Sequence, residues 1–470
     1  MLRELRLLPL LVCLVLFFSS CDKNALPSPL TEEESAHTSD QKASSDANPD
    51  DPDKKPVSGE KLILTGDSQG RLIIDGETQQ YNCNITLAIG AGQYNSVVIR
   101  NLHGRAGCPF RIENEGLVEF VGDRKTMAIA NISHVVISGD GSKEIQRGFL
   151  FRDNSYRAVE LSGDINDFVF QHAEFKNIGN YVISYSHKKV YDGSASSYSQ
   201  RIKFSYLKAT NTASLINFGG GISGSNITGL IRKLEISNLD VSNCPTAKDV
   251  IYVGMVEDYN IYGNVFSDIN TQNDNHNAMF HLIGNGKFHN NHISNHQGNA
   301  IRAWVVSVGN TPKEVHIFNN IVFNSRKYSA FETQSFERFL IPQQTTYANV
   351  KVYHNTCGRL NLSKDWYGVV LDAYRLLGGT CEVYNNLAFA LPTPHPKSHF
   401  ISYMSMEADK LHESSNLYFP DANAAGILDE KAFKLSANSQ AYRTGVSNEL
   451  TIDFYNKQRN KNSPSIGAVE

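Results

Sequence analysis

The sequence lacks several features that mark large classes of proteins. Its 44 Lys and Arg residues stand against 48 Asp and Glu, so no basic excess is present for a nucleic-acid backbone. Its seven cysteines are scattered and follow neither a metal-binding spacing nor a disulfide framework. Tryptophan is scarce, with two residues against 21 Tyr and 24 Phe, and Asn, Ser, Gly, Ile and Val are common. This composition excludes a nucleic-acid partner and favours β-rich packing.

The first 21 residues have the pattern of a targeting segment. Arg3 and Arg6 precede an apolar stretch at 7–18, which is shorter than the about 20 residues that a membrane-spanning helix needs. The stretch ends in Ser19-Ser20-Cys21, which resembles the lipobox of bacterial lipoproteins. The resemblance implies that Cys21 is lipidated and becomes the first residue of the mature protein. The alternative is an ordinary secretory signal.

Residues 22–59 have the composition of a disordered linker. They are rich in Ser, Asp and Pro and contain few aliphatic side chains, so they cannot bury enough apolar surface to offset the entropy of ordering. A lipid followed by such a tether predicts an outer-membrane or cell-surface location, with a secreted or periplasmic protein as the alternative. In an oxidising compartment Cys83 and Cys108 could form a disulfide, and buried free thiols are the other possibility.

A short phrase recurs along the chain: alternating apolar residues, then Asn, then a second apolar run. The intervals between the Asn residues are 27, 29, 35 and 31 residues, too short and too variable for propeller blades. Strand-like alternation argues against helical repeats. Weaker copies without this Asn lie at 167–175, 201–209 and 233–241. The complete phrases are NIYGNVF at 260–266, KFHNNHI at 287–293, HIFNNIVF at 316–323, KVYHNTC at 351–357 and EVYNNLAF at 382–389, with the Asn at Asn264, Asn291, Asn320, Asn355 and Asn386.

This period predicts an all-β, single-stranded right-handed parallel β-helix with three sheets. An Asn at the same bend of each coil tolerates left-handed backbone geometry, and its side chain can bond the amide of the next coil, which builds a ladder along the axis. We expect the β-helix over residues 60–395. Residues 396–470 lose the repeat, and short strands at 415–419 and 441–445 are expected to cap the exposed end of the solenoid.

The chain resembles the pectate-lyase-like right-handed β-helix proteins, and more closely the lipoprotein β-helix repeat proteins of Gram-negative polysaccharide degraders. The residues that carry this resemblance are the Asn phrases, NITLAIGAGQYNSVVIRNL at 84–102, GCPFRIENEG at 107–116 and SPSIGAVE at 463–470. The resemblance implies a polysaccharide partner and an activity of the lyase or glycoside hydrolase type. It also places the Asn bend between the second and third strands, with saccharide bound on the first sheet. Because this fold hosts several activities, a surface glycan-binding or structural, adhesin-like protein is the alternative.

Polar and aromatic residues gather on the expected first sheet. A small residue near the start of each expected strand sets their alignment, and the segments are 250–254, 278–282, 300–304, 330–334 and 368–374. Alternation then puts Met279 and His281 inward and Phe280 and Leu282 outward. The residues predicted to face outward in a substrate groove are Tyr252, Arg302, Trp304, Glu332, Gln334, Asp372 and Tyr374.

This groove suggests a division of roles. Arg302 should lie beside Glu332, while Asp372 should be one coil and two residues away, about 8 Å by strand geometry. Such a separation is near that of the acid and base in inverting glycosidases, so Arg302, Glu332 and Asp372 are the candidate catalytic residues. The candidate substrate-binding residues are Tyr252, Trp304, Gln334, Arg338 and Tyr374.

No cofactor is indicated by the sequence. Asp274 and His276 in the stretch TQNDNHN could contact a cation, but the stretch lacks the acidic residues of a calcium loop, and a plain turn is the simpler interpretation. The site itself has a plain alternative too, an exposed sheet with ion pairs that stabilise little.

Overall fold

The structure is a computed structural model, and it describes residues 59–470 apart from 337, 339–340, 342–346, 397, 405 and 407. The predicted signal segment, Cys21 and the linker up to residue 58 lie outside the described residues. Within the described part of the chain, no helix is long and apolar enough to span a membrane.

The described residues form strands and two single-turn 3-10 helices, Ala195–Ser197 and Ala408–Lys410. The strands of the first half are β1 (Lys61–Leu64), β2 (Arg71–Asp75), β3 (Thr86–Tyr94), β4 (Ser96–Arg100), β5 (Phe110–Val121), β6 (Met127–Ser138), β7 (Phe149–Asn154), β8 (Val159–Gln171), β9 (Ala173–Tyr185), β10 (Ser199–Ser205), β11 (Lys208–Phe218), β12 (Gly221–Ser223), β13 (Asn226–Thr228), β14 (Ile231–Ser237), β15 (Asp240–Cys244) and β16 (Ile251–Tyr262). The strands of the second half are β17 (Val265–Ile269), β18 (Ala278–His289), β19 (His292–His296), β20 (Asn299–Val305), β21 (Lys313–Phe318), β22 (Ile321–Ser325), β23 (Phe331–Gln334), β24 (Ala348–Tyr353), β25 (Thr356–Gly358), β26 (Leu371–Tyr374), β27 (Cys381–Tyr384), β28 (Leu387–Phe389), β29 (Ile401–Met404), β30 (Leu411–Ser414), β31 (Leu417–Phe419), β32 (Ile427–Asp429) and β33 (Lys434–Leu435).

Apart from the antiparallel pairs β12–β13 and β32–β33, the strands pair in parallel with the equivalent strands of neighbouring coils. The first sheet contains β20, β23, β26 and β29, the second contains β21, β24, β27 and β30, and the third contains β22, β25, β28 and β31. Inward side chains are Ile, Val, Leu and Phe in almost every coil, and they form one continuous buried core. The expected all-β, right-handed parallel β-helix is confirmed.

The Asn ladder is confirmed in the predicted register. Asn264, Asn291, Asn320, Asn355 and Asn386 are fully buried, and each donates its Nδ2 hydrogen to Oδ1 of the next, over 2.8–3.0 Å. That Oδ1 also accepts the main-chain N–H of the Asn one coil earlier. A sixth member, Asn416, extends the ladder.

The left-handed residue of the bend is the one before each ladder Asn, and not the ladder Asn itself as the sequence suggested. Asn290, Asn319, His354, Asn385 and Ser415 have φ between 52° and 55°. The two roles are therefore separate. The first residue turns the chain, and the second buries its amide in the ladder.

The β-helix continues to residue 419, beyond the predicted boundary at 395. Strands β29, β30 and β31 pair with the coil before them, and Asn416 completes their bend. The segment 415–419 is thus a strand of the last coil, and 441–445 forms turns instead of a strand. The repeat was missed here because the apolar alternation before Asn416 is weak: strand β30 reads Leu-His-Glu-Ser, with one aliphatic residue.

The C-terminal residues pack along the outside of the ladder bend. Asn290, Asn319 and Asn385 donate to the carbonyls of Phe454, Ile452 and Val446 at 2.8–3.0 Å. Buried Arg459 donates to Asn319 Oδ1 and to the carbonyls of 467 and 468. The C-terminal residues therefore cover a side of the last coils. At the other end of the molecule, Cys83 and Cys108 form a disulfide.

Candidate active site

The outward face of the first sheet aligns one polar residue from each coil. Arg302 pairs with Glu332, Glu332 with Asp372, and Asp372 with Ser402. The predicted neighbours Arg302 and Glu332 are confirmed. The predicted offset of Asp372 is wrong: it lies directly beside Glu332 in register, so their Cα atoms are about 4.8 Å apart rather than about 8 Å.

One strand of the predicted alignment was out of phase. In β18 the residues Phe280 and Leu282 are buried in the core and His281 faces outward, because Phe280 pairs with Ile301 and His281 with Arg302. The alignment on the small residue Ala278 failed by one residue: Phe280 pairs with Ile251, so Met279 and not Ala278 is level with Val250. His281 therefore joins the outward row, where its Nδ1 lies 2.9 Å from Asp249 Oδ2.

Glu332 is a buried carboxylate held between the side chains of Arg302 and His276. Only 1% of its surface is exposed. Arg302 Nε donates to Oε1 at 2.9 Å, and His276 Nε2 lies 2.8 Å from Oε2. Burial by itself raises the pKa of Glu332, but the contact with His276 and the charge of Arg302 outweigh it and lower the pKa. Glu332 is therefore ionised in the folded protein.

Asn299 fixes the orientation of His276. The Asn299 Nδ2 group donates to the main-chain oxygen and the hydroxyl of Ser329, both at 2.9 Å, so its Oδ1 faces His276 Nε2 at 2.9 Å. Two acceptor oxygens, from Asn299 and Glu332, thus face Nε2, which must carry the hydrogen. The imidazole also stacks on Tyr328 with ring centroids 3.9 Å apart. His276 was considered from the sequence only as a cation contact, so this role was missed.

Asp372 lies beside Glu332, but its pKa is shifted in the opposite direction. Burial and the charge of Glu332 raise its pKa to about 6, against a hydrogen bond from Trp366 Nε1 at 3.3 Å that lowers it. Two carboxyl groups on neighbouring strands are therefore held in different protonation states over a range of mildly acidic pH. This is the arrangement in which one carboxyl group can act as an acid while the other acts as a carboxylate.

The two carboxyl groups open into one cavity of about 660 Å³, which we call the acidic cavity. The predicted residues Gln334 and Tyr374 line it, and Gln334 donates to Glu332 Oε1. Its other described lining residues are His276, Lys364, Asp365, Trp366, Tyr367, His395, Ser402 and Tyr403. Aromatic rings and hydroxyl groups surrounding a few charged groups are typical of a site for a polar ligand that has apolar faces, such as a sugar.

Trp366 and Tyr367 form an exposed aromatic pair at the rim of the acidic cavity. They are 44% and 39% exposed, and they lie in the loop before β26. The strand alignment gives no position for Trp366 and Tyr367, because they lie in a loop and not in a strand. The loop brings Trp366 back to Asp372 on the first sheet. The signal that could have found them is an adjacent Trp-Tyr pair in an otherwise polar loop next to a first-sheet strand.

Three of the predicted substrate-binding residues do not line the acidic cavity. Tyr252 packs edge-to-face on His281, with centroids 5.2 Å apart. Trp304 contacts His281 and Phe336, with centroids 4.6 and 4.9 Å away, and the exposed Arg338 lies over the Trp304 ring at 5.3 Å. Tyr252, Trp304 and Arg338 therefore form a neighbouring cluster on the N-terminal side of the same sheet.

The stretch TQNDNHN does not bring carboxylates together. Asp274 is 82% exposed and its carboxylate accepts a hydrogen bond from Arg326 at 2.6 Å, while His276 turns toward Glu332. Among the residues that the structure describes, no group of three or more His, Cys, Asp or Glu side chains is placed to hold a metal ion.

Comparison with known proteins gives structural similarity alone. No protein-family model and no curated protein matches the sequence. The chain is similar in structure to an alginate lyase from Paenibacillus sp. str. FPU-7, with 12% identity over 73% of this chain and 99% of that one and a TM-score of 0.36. It is also similar to pectate lyase Pel9A, with 13% identity, coverage of 86% and 97% and a TM-score of 0.35. A PL6 family polysaccharide lyase from Pseudopedobacter saltans has 10% identity, coverage of 87% and 99% and a TM-score of 0.38. At such low identities and scores, these similarities carry no argument about the activity of this chain.

Proposed function

We propose that this protein binds a polysaccharide in the acidic cavity and hydrolyses a glycosidic bond there. Asp372 would protonate the leaving oxygen, and Glu332 would act as the ionised carboxylate. The observation that carries this proposal is the pair itself: two adjacent carboxyl groups in one cavity whose surroundings move their pKa values in opposite directions. Glycoside hydrolysis uses such a pair, with one member kept protonated near the working pH.

The close register of the two residues bears on how the pair would work. Their Cα atoms are one strand spacing apart, about 4.8 Å. Carboxyl groups about 5 Å apart suit a retaining reaction, and a wider spacing suits a water-mediated inversion. The register therefore favours retention over the inverting reaction that the sequence alignment suggested. Glu332 would then be the nucleophile, and Asp372 the acid and later the base.

Arg302 is poorly disposed to be a catalytic base. Its Nε donates to Glu332 and its Nη1 to the main-chain oxygen of His276 at 2.8 Å, and its side chain is 15% exposed. These contacts give Arg302 a positioning role: it holds Glu332 ionised and in place. A lyase that depends on Arg302 as base is for this reason the less favoured reaction.

The location of the protein belongs to the same proposal. Arg3, Arg6, the apolar stretch at 7–18 and the lipobox-like Ser19-Ser20-Cys21 support export and lipid anchoring at the outer membrane or cell surface. A polysaccharide too large to enter the cell would be met there.

Two carboxyl variants and one matched control test the reaction. Purified domain from residue 60 is incubated with a panel of polysaccharides, and both new reducing ends and the ultraviolet absorbance of unsaturated products are followed. We expect the parent protein to produce new reducing ends without ultraviolet absorbance. The Glu332→Gln and Asp372→Asn variants should lose this activity. The control Glu382→Gln should keep it, because Glu382 lies on the second sheet. Absorbance that persists in Asp372→Asn would identify a lyase with another base. Binding without either product would identify a non-catalytic glycan-binding protein.

A further inference from the structure

The loop at the rim of the acidic cavity, residues 359–368, is attached to the preceding coil, and we call it the rim loop. The main-chain N–H of Ser363 donates to the carbonyl of Arg326 at 2.9 Å. Lys327 Nζ lies 2.8 Å from Asp365 Oδ2. These contacts hold the middle of the rim loop against the turn that follows β22.

Asn361 is fully buried near the start of the rim loop, whereas residues 362–367 are exposed. Its Nδ2 group donates to the main-chain oxygen of Trp366 and to Thr393 Oγ1, both at 2.6 Å. Because a main-chain oxygen can only accept, the nitrogen of the amide must face Trp366. The backbone of Asn361 has φ 56°, a left-handed conformation that Asn and Gly adopt more readily than other residues. Asn361 thus fixes the main chain at Trp366 from the buried side of the loop.

The side chain of Trp366 connects the rim loop to Asp372. The indole Nε1 donates to Asp372 Oδ2 at 3.3 Å. A hydrogen bond to the carboxylate favours the ionised form, so this contact lowers the pKa of Asp372 against the larger effects of burial and of the charge of Glu332, which raise it. The other titratable or charged groups around the cavity are Arg302, His276, Lys364, Asp365 and His395. The Trp366 N–H is the donor that the rim loop brings to Asp372.

We propose that Asn361 is a positioning residue of the carboxyl pair, whose buried amide holds the main chain of Trp366 so that the indole N–H reaches Asp372. This inference rests on the proposed function, because Asp372 is the acid there. Without the amide, the exposed part of the rim loop loses its attachment at Trp366, and the indole N–H is free to turn to solvent. Asp372 then stays protonated to a higher pH, because a donor that favours its carboxylate is gone.

Titration of Asp372, followed by carbon-13 NMR of labelled aspartate carboxyl groups, tests the inference in two variants. Asn361→Gly removes the amide and keeps a residue suited to the left-handed backbone. Trp366→Phe removes the indole N–H and keeps an aromatic ring. In each variant Asp372 should titrate at a higher pH than in the parent protein, by about 0.5–1 pH unit, the size expected for one lost hydrogen bond. The double variant should shift no further than Trp366→Phe alone, because Asn361 acts through Trp366.

Asn385→Gly is the matched control. Asn385 is also fully buried, has φ 55°, and donates its Nδ2 hydrogen to a main-chain oxygen, that of Val446 at 2.8 Å, at the bend between the second and third sheets. This variant should lose stability but leave the titration of Asp372 unchanged. An equal shift of Asp372 in Asn385→Gly would show a general loosening of the fold and overturn the inference.

The titration of Asp372 also decides the remaining outcomes. If it is unchanged in Trp366→Phe or in Asn361→Gly, the inference is overturned. If Asn361→Gly does not fold, Thr393→Val takes its place: at a half-buried position it removes the second partner of the Asn361 amide, so a smaller shift to higher pH is expected, and no shift contradicts the inference.

Because the titration needs no turnover, failure of this inference and failure of the proposed function are distinguishable. Asp372 that responds as expected in a protein that cleaves no polysaccharide defeats the hydrolase and supports the positioning role. Asp372 that does not respond in an active hydrolase defeats the positioning role alone.

Discussion

Replacing Asn320 by Ala should destabilise the β-helix through the ladder. Asn320 Oδ1 accepts the main-chain N–H of Asn291 at 3.1 Å and its Nδ2 hydrogen at 3.0 Å. In the other direction, Asn320 Nδ2 donates to Asn355 Oδ1 at 2.9 Å and to the Phe288 carbonyl at 3.0 Å. All of these groups are away from water, so no solvent molecule replaces the missing amide.

The size of the effect follows from what is left unpaired. Asn291 Nδ2 keeps its bond to the Ile261 carbonyl, and Asn355 Oδ1 keeps the main-chain N–H of residue 320. The main-chain N–H of Asn291 loses its acceptor and remains buried. One orphaned buried donor costs about 1–3 kcal/mol, so we expect the free energy of unfolding to fall by about that amount.

Equilibrium unfolding in urea, followed by far-ultraviolet circular dichroism, measures this difference. The control Asn438→Ala removes an exposed Asn and should change the unfolding free energy by no more than about 0.5 kcal/mol. Asn320→Leu restores volume but not the acceptor, so it should remain destabilised. A stable Asn320→Ala protein, or full rescue by Leu, would refute the hydrogen-bond account of the ladder.

Four further outcomes are expected. Because the pKa of Asp372 is raised, its contribution to the free energy of unfolding is complete below pH about 4 and is lost as the pH rises through about 6. Between these two pH values the Asp372→Asn variant should become more stable than the parent protein, by about 1–3 kcal/mol in urea unfolding. A stability difference that stays constant over this range would contradict the assignment. His276→Phe removes a group that lowers the pKa of its carboxylate partner, so the acidic limb of the pH–rate profile should move to higher pH, and an unmoved limb would deny His276 that role. Trp366→Ala should weaken oligosaccharide binding by about 1–3 kcal/mol in calorimetry, from lost apolar contact, and normal binding would remove it from the site. Cys21→Ala should release the protein from the membrane fraction, and unchanged fractionation would contradict lipid anchoring.

The fold could be predicted from the sequence because its signal is repeated. A buried amide is costly unless it is paired, so Asn appears at the same bend of coil after coil, and each copy confirms the register of the others. Asn416 was missed because the residues before it, Leu-His-Glu-Ser-Ser at 411–415, keep only one apolar position of the phrase. The left-handed residue was assigned one position late, since both places in the phrase are often Asn.

The candidate site could be predicted only in part. Arg302 and Glu332 were paired correctly because the strands around them carry clear core residues. Asp372 was misplaced by two residues because the loop before β26 hides where the strand begins, and a sheet with period two tolerates such a shift without changing faces. The parts supplied by loops, His276 and Trp366, have no period at all. Only the three-dimensional structure brings them to the carboxyl pair.

The central claim is that Asp372 is a protonated acid beside an ionised Glu332, and carbon-13 NMR can test it directly. Protein labelled at the aspartate carboxyl carbons is titrated, with Asp372→Asn used to identify the resonance. The account predicts a pKa of about 6 for Asp372. It also predicts a clear fall in Glu332→Gln, because the neighbouring negative charge is gone while Arg302 remains. An Asp372 that titrates near 3.8, the ordinary value for aspartate, or that does not respond to Glu332→Gln, would contradict the account.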